Sequence, residues 1–417
     1  MRTSHLDLAR GLAAQIRSRG DEIELARQVP ADIIDSLRQG GVFRLCTPKA
    51  LGGSEVPALE TLRVIEEIAR ADGSTAWVVM VGSTTALLSG YLTDEWARRI
   101  YGDDPGVITV GVTAPNGRAR QVEGGIEVTG QWQWGSGCHH ANWLIGGSLL
   151  VDDAGEIVRD ENGAPHHLLP FLSAEQVEIL DTWYAHGMAG SGSADFKVQA
   201  AFVPEGRWLR FGVSQPRLKG LYQFPLLGFL GLGVCSISLG LARRAIDELV
   251  SLAGQKVPVA STRTLANRSY VQSSVAEAEA AVRSARALLR EAVESAWAAA
   301  AAGDPLTVEH RLLLRLATTN ASRQSAQARA NPPRRWTSCT TPLVELRSTT
   351  AARWPASFAT CTWPRSTSWW HRQPTSWRGA SSSGSRPTPA RSSLDHPVRV
   401  EVPHFRGDVS GTVTYPG

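Results

Sequence analysis

Helical apolar spacing at both ends of the first 330 residues, with short strand-like runs between them, constrains this fold more than any other feature. In residues 1–107, Ala31–Leu37 follows Val29 and Pro30. Thr61–Ala69 carries Leu62, Ile65 and Ile68 at helical spacing, Thr75–Leu92 is a long apolar stretch, and Thr93 is placed to cap a further helix. In residues 108–214 the pattern changes. Val107–Val112, Gly125–Val128, Trp143–Val151, His167–Leu172 and Phe196–Val203 read as strands separated by Gly, Asp and Asn turns. From Leu221 to Ala330 the chain is helical again, with Val271–Ala302 and Val308–Ala328 as long Ala- and Leu-rich helices. Helices, then β, then helices excludes an alternating βαβ chain and gives an α+β class. The domains expected are helical over 1–107, β over 108–214 and the first helices of a bundle over 215–330.

Charge sharpens this division. The net charge is +4, but residues 1–330 hold 32 Lys+Arg against 35 Asp+Glu. The excess sits in residues 331–394, with nine Arg and a single acid, Glu345. A chain-wide nucleic-acid or membrane-surface role therefore has no support. Five cysteines without paired spacing argue against a disulfide scaffold or structural zinc. The opening MRTSHLDLARGLAAQ lacks the apolar core of a signal peptide, so the cytoplasm is expected. Phe224–Ala242 is free of charge but carries Pro225 and several glycines. Its two readings are a membrane span and a buried bundle helix, and the second is expected.

Residues 331–394 match no ordinary class. They hold six tryptophans, eight prolines and 22 Ser+Thr, with no helical or strand period. Linkers are poor in aromatics, and folded domains are rarely this poor in Leu, Ile and Val. Reading the stretch from Phe358 to Trp370 from the third position of G/C-rich codons turns FATCTWPRSTSWW into RDLHVAPQHVVV. The same shift gives helically spaced strings from Arg335–Ala352 and Gly379–Leu394. Residues 331–417 are therefore expected to be an irregular tail translated out of frame, against the alternative of a basic linker.

Two segments carry the chemistry. Gly130-Gln-Trp-Gln-Trp-Gly-Ser-Gly-Cys-His-His-Ala-Asn-Trp143 alternates three indoles with small residues at a strand end. Such a segment either stacks on a flat ring, with backbone N–H groups near it, or forms a hairpin with a tryptophan core. The adjacent His139-His140 pair, if on a strand, points to opposite faces and makes a poor chelate, so no metal is expected. The run from Asp181 to Asp195 contains Met-Ala-Gly-Ser-Gly-Ser, which is either a plain loop or an anion- or flavin-binding turn. It precedes a strand, so it is not a dinucleotide fingerprint. Thr113-Ala-Pro-Asn-Gly117 reads as a turn.

Together with Asp72-Gly-Ser-Thr-Ala-Trp77, the run Val128–Gly137, Trp183–Ser193 and Phe202-Val-Pro-Glu205, these segments resemble the acyl-CoA dehydrogenase family. Within it they resemble the flavin-dependent monooxygenase branch, across about 330 residues. The resemblance implies an N-terminal helical domain, a central β-domain, a C-terminal helical bundle and a homotetramer. It implies reduced FMN or FAD delivered by a separate flavin reductase, and a small cyclic or aromatic substrate. It places Trp134 and Ser136 against the flavin ring, with Ser136 near N5, and Thr113 and Asn116 on the same face. Trp183, Ser191 and Ser193 complete the pocket, with Ser136 and Trp183 taken as catalytic. Arg263 or Arg268 would reach a cofactor phosphate from a neighbouring subunit. Oxygen activation on reduced flavin needs a dry pocket and a hydrogen bond at N5, which indoles and one hydroxyl supply.

Two positions depart from the branch. Thr85 stands where its phenol hydroxylases bind substrate through histidine, and the branch's C-terminal histidine pair is present only in the shifted frame, His371 not being its equivalent. Three readings follow: a reduced-flavin monooxygenase; an acyl-CoA dehydrogenase, which needs a catalytic glutamate and a CoA site that the sequence does not display; and a non-catalytic remnant.

Overall fold

The computed structural model describes residues 4–330; the expected out-of-frame segment lies outside them. Six helices come first: α1 (His5–Ser18), α2 (Gly20–Ala26), α3 (Ala31–Gln39), α4 (Ala58–Ala71), α5 (Gly73–Thr85) and the short α6 (Asp94–Ala97). Seven strands follow: β1 (Thr109–Val122), β2 (Gly125–Trp132), β3 (Trp143–Val151), β4 (His167–Ser173), β5 (Glu178–Leu180), β6 (Asp195–Pro204) and β7 (Trp208–Arg210). Three long helices close the described chain: α7 (Leu226–Gln255), α8 (Ser269–Ala302) and α9 (Val308–Ala330). The α+β order expected from the pattern is the order observed.

Helix α5 positions the site. Asp72 caps it, accepting the Thr75 N–H at 2.6 Å, and burial pushes the Asp72 carboxyl up while the Thr75 and Ser74 donors pull it down. Nearly every residue of α5 is buried, because α4 covers one side and β1 the other. The apolar run to Leu92 does not stay α-helical. Thr84 and Thr85 donate back to the Met80 and Val81 carbonyls at 2.7 Å each, which loosens a helix, and the chain tightens into a 3₁₀ turn over Ala86–Gly90.

The sheet order is β5-β6-β2-β1-β3-β4-β7, with β1 and β3 parallel and every other neighbour antiparallel. The expected turn Thr113–Gly117 is instead a wide bulge inside β1. Val112 pairs with Gly146 and Gly117 with Ser148, so five steps on β1 oppose two on β3. The bulge needs Gly147, where a Cβ would lie 2.3 Å from the Thr113 carbonyl oxygen. Edge strands β5 and β7 have three residues each, too few for an alternating pattern to register.

Helix α7 is long and apolar enough to cross a membrane by composition, and 56% of its most apolar window is buried in the fold. Its glycines set the packing. A Cβ at Gly240 would lie 2.3 Å from the Glu66 carbonyl oxygen of α4, and one at Gly233 would lie 2.6 Å from Met80 of α5. Ion pairs fix the flanks: Arg70 to Asp247 at 2.8 Å, and Arg286 of α8 to Glu66 at 2.5 Å.

Candidate active site

Three tryptophans expected to act together separate in the structure. Trp132 is fully buried, donates from Nε1 to the Gly147 carbonyl at 2.7 Å and stacks on Phe196 at 5.1 Å. It belongs to the core. Trp143 is half-buried, with the Arg207 guanidinium 5.4 Å from its ring centroid. Trp134 is 68% exposed and has φ 63°. A bulky residue in the left-handed region costs on the order of 1–2 kcal/mol and persists only where its surroundings impose it. Here the imposition is visible. Gly135 N–H donates to the Ala194 carbonyl at 2.9 Å and Gly137 N–H to the Ser191 carbonyl at 3.0 Å, joining the loop after β2 to the loop before β6.

That junction brings three predicted residues together. Ser136 Oγ lies 2.7 Å from Ser193 Oγ, which lies 2.8 Å from Ser191 Oγ. All three are buried, Ser136 at 8% exposure, Ser193 at 4% and Ser191 at 2%. From α5, Trp77 Nε1 donates to Ser136 Oγ at 2.9 Å. Three hydroxyls bring three protons, and two Ser–Ser bonds use two of them. One proton is left over. An unsatisfied buried donor costs about 1–3 kcal/mol, so the chain favours running from Ser191 through Ser193 to Ser136, leaving the spare proton on the most exposed member. In that arrangement Ser136 accepts from Trp77 and Ser193 and keeps its own proton free, two residues from the exposed indole of Trp134.

The remaining predicted residues fall elsewhere. Trp183 is half-buried and donates from Nε1 to the Ala189 carbonyl at 3.0 Å, bracing the loop two residues before Ser191. Thr113 and Asn116 lie in the β1 bulge, half-buried and exposed respectively. Arg263 and Arg268 sit between α7 and α8, and their bonds close a turn on Ser261: Arg268 donates to its Oγ at 2.6 Å and Arg263 N–H at 3.1 Å. Within this chain neither contacts the serines. Thr85 is corrected. It is 9% exposed, and its hydroxyl accepts from Thr109 Oγ1 at 3.1 Å and donates to backbone carbonyls. No donor is left for a substrate.

His139 and His140 are also corrected in setting, since Cys138–His140 is a 3₁₀ turn and not a strand. Burial pushes the His140 imidazole down to about 4, helped by His139 and Arg38. Burial pushes the Cys138 thiol up to about 12, which makes it a poor nucleophile at neutral pH. Among the described residues no three His, Cys, Asp or Glu side chains form a metal-binding group. Sequence reasoning assigned no role to Trp77, although it ended a quoted motif. Its place five residues beyond the Asp72 cap is what aims its N–H at Ser136.

Residues 6–101 match the family described as acyl-CoA dehydrogenase, N-terminal domain, and residues 232–331 its C-terminal domain. An indole-3-acetate monooxygenase from Pseudomonas putida is 35% identical over 314 residues, covering 75% of this chain and 78% of that protein. The oxygenase component of an FADH2-dependent resorcinol hydroxylase from a Rhizobium species is 30% identical over 301 residues, covering 69% and 72%. In three dimensions the chain is similar to 3-HSA hydroxylase from Rhodococcus sp. RHA1, with a TM-score of 0.75 and 24% identity over 86% of this chain and 91% of that one. The chain belongs to the acyl-CoA dehydrogenase family, in its branch of flavin-dependent monooxygenases.

Proposed function

We propose that this protein is the oxygenase component of a two-component system. It takes reduced FMN or FAD from a separate flavin reductase and inserts one oxygen atom of O2 into a small aromatic substrate. The spare proton on Ser136 carries the reading. A buried hydroxyl with an unused donor, next to an indole held at 68% exposure by a strained backbone, fits a flat heterocycle with a polar edge. Reduced flavin, when bound, supplies the two electrons that oxygen needs. The chain's own residues do the rest. Trp134 would offer an apolar face for stacking, and Ser136 would donate a hydrogen bond to the flavin's polar edge. Trp77 and Ser193 hold the Ser136 oxygen so that its proton points outward. By the family resemblance Thr113 and Asn116 would line the same face from the bulge, and Trp183 keeps the serine loop in place.

No carboxylate bonds any of the three serines among the described residues, which disfavours proton abstraction from an acyl-CoA. With Thr85 turned inward, we propose an aromatic or heteroaromatic substrate that needs no phenol-binding histidine. The indole-3-acetate relative supports that class. The test is anaerobic titration with reduced FMN and FAD, followed by oxygen and an indole or phenol acid. Product containing one atom of labelled oxygen supports the reading. Retained oxidised FAD bleached by acyl-CoA sinks it.

Three further proposals accompany it. The protein works in the cytoplasm, and cell fractionation checks this. Val308, Leu312 and Leu316 leave an exposed apolar stripe on α9, which supports a bundle completed by further helices and a homotetramer, readable as solution mass. Residues 331–417 are out of frame. The C-terminal family match stops at residue 331, where the composition changes. Sequencing codons 328–336 decides this, and a single-base correction should restore bound flavin and tetramer mass together.

A further inference from the structure

The loop that carries Trp183, Ser191 and Ser193 is held from outside the sheet, by the end of α2. Glu24 accepts the Ala189 N–H at 3.1 Å. Arg27 donates from Nη1 to the Trp183 carbonyl at 3.0 Å and to Asp181 at 2.7 Å. Tyr184 donates to the other oxygen of Asp181 at 2.5 Å, and the Arg27 guanidinium lies 4.2 Å from the Tyr184 ring centroid. These bonds hold the Asp181 carboxyl below its ordinary range, Arg27 first and Tyr184 second. Close packing accompanies them. A Cβ at Gly190 would lie 2.1 Å from the Ile23 side chain, and one at Gly192 would lie 3.3 Å from the Arg27 carbonyl. Arg27 itself has φ 54°, a conformation that a long side chain keeps only where its contacts fix it.

We infer that the turn ending α2 is a clasp: Glu24 and Arg27 are positioning residues that set Trp183 and the Ser191–Ser193 hydroxyls, and through them the outward proton of Ser136. The two ends of the 181–193 loop are secured separately, Trp183 through its carbonyl and Ala189 through its amide. The serine chain begins two residues beyond Ala189, so a shift there reaches Ser191 directly. The Arg27–Asp181 pair is exposed at 35% and 66%, and pairs of that kind add little to global stability. Its effect therefore falls on the geometry of the loop more than on the melting temperature. The consequence for flavin rests on the proposed function; the clasp itself does not.

The experiment uses the full chain, in the restored frame, and two readouts. Hydrogen exchange at the Ala189 amide reports the clasp without any ligand, and reduced-FMN affinity reports its consequence. In Glu24→Ala and Arg27→Ala, Ala189 exchange should rise about tenfold while β2 and β6 amides stay unchanged, and reduced-FMN affinity should weaken about threefold to tenfold. Glu24→Gln keeps an acceptor oxygen and should restore slow exchange, and Arg27→Lys should restore part of it. Unchanged Ala189 exchange in both alanine variants overturns the clasp. Faster exchange with unchanged FMN affinity overturns its role in the site. Frame-restored parent protein that binds no reduced flavin overturns the flavin reading while leaving the exchange result to judge the clasp.

Discussion

Two buried hydroxyl clusters lie along α5, one beside Trp77 and one beside Thr85, and they differ in a single accounting of protons. Near Thr85 the Tyr101 hydroxyl donates to Thr109 Oγ1 at 3.2 Å, Thr109 donates to Thr85 Oγ1 at 3.1 Å, and Thr85 donates to backbone carbonyls. Every proton has an acceptor, and the cluster is closed. Burial raises the Tyr101 phenol well above its ordinary range, so it stays a donor at any working pH. Near Trp77 the three serines lack a terminal acceptor among the described residues, and the cluster is open by one proton. Residue type does not distinguish the two, since both are small hydroxyls in buried positions. What distinguishes them is whether a backbone carbonyl lies within reach of the last hydroxyl. The closed cluster holds the fold, and the open one is the cluster proposed to meet a ligand.

Exchanging the chemistry of the two clusters gives the largest expected effects. In the frame-restored chain, Ser136→Ala should bind flavin yet lose most of its coupling and release hydrogen peroxide. One positioned donor in a dry site is worth about 2–4 kcal/mol, or a factor of roughly 10²–10³. The matching substitution in the closed cluster, Thr85→Val, should leave the ratio of product to peroxide unchanged and cost about 1–3 kcal/mol of stability. It strands the Thr109 proton and, behind it, the Tyr101 phenol. Urea unfolding and peroxide yield separate the two outcomes. Equal losses of coupling in both variants would erase the distinction.

Smaller effects sharpen it. Trp77→Phe removes the N–H that occupies the Ser136 oxygen, and lets Ser136 accept from elsewhere. Coupling should fall by about five- to tenfold with stability little changed, since a neutral hydrogen bond contributes about 1 kcal/mol. A pH effect is expected as well, on the stability of the loop and not on coupling. His140 has a folded-state value near 4 against an ordinary 6.5, so the unfolded chain binds the extra proton. Stability is full above pH 6.5 and falls as the pH drops from 6.5 towards 4, by roughly 1–2 kcal/mol after discounting for partial exposure. His140→Gln should flatten that part of the melting curve against pH. An unaltered slope in that variant would show that His140 is not the group responsible.

Much of this was legible in the residues. Thr93 read as a cap because a short side chain before a helix has backbone donors to satisfy, and it accepts from the third residue of its helix; Asp72 does the same for α5 without having been read as a cap. The α4 stripe of Leu62, Ile65 and Ile68 is buried as its spacing demands. The convergence of Ser136, Ser191 and Ser193 followed from the family resemblance and not from any period, since loops have none. The bulge in β1 was hidden because Pro115, Asn116 and Gly117 carry turn chemistry, and only the pairing with β3 shows that the strand resumes. Sequence position says nothing of where the Thr85 hydroxyl proton goes; the backbone carbonyls that take it come within reach only in the fold. Trp134 and Trp132 look alike in sequence, yet alternation along β2 ends at Trp132, so the next indole escapes the core.

The central claim is that the open cluster, and not the closed one, meets the cofactor. Its most direct measurement is the fraction of reductant recovered as oxygenated product in Ser136→Ala and Thr85→Val, purified side by side with the parent chain in the restored frame. The account expects near-parental coupling in Thr85→Val and at least a tenfold loss in Ser136→Ala, with both still binding reduced flavin. Parental coupling in Ser136→Ala would contradict it.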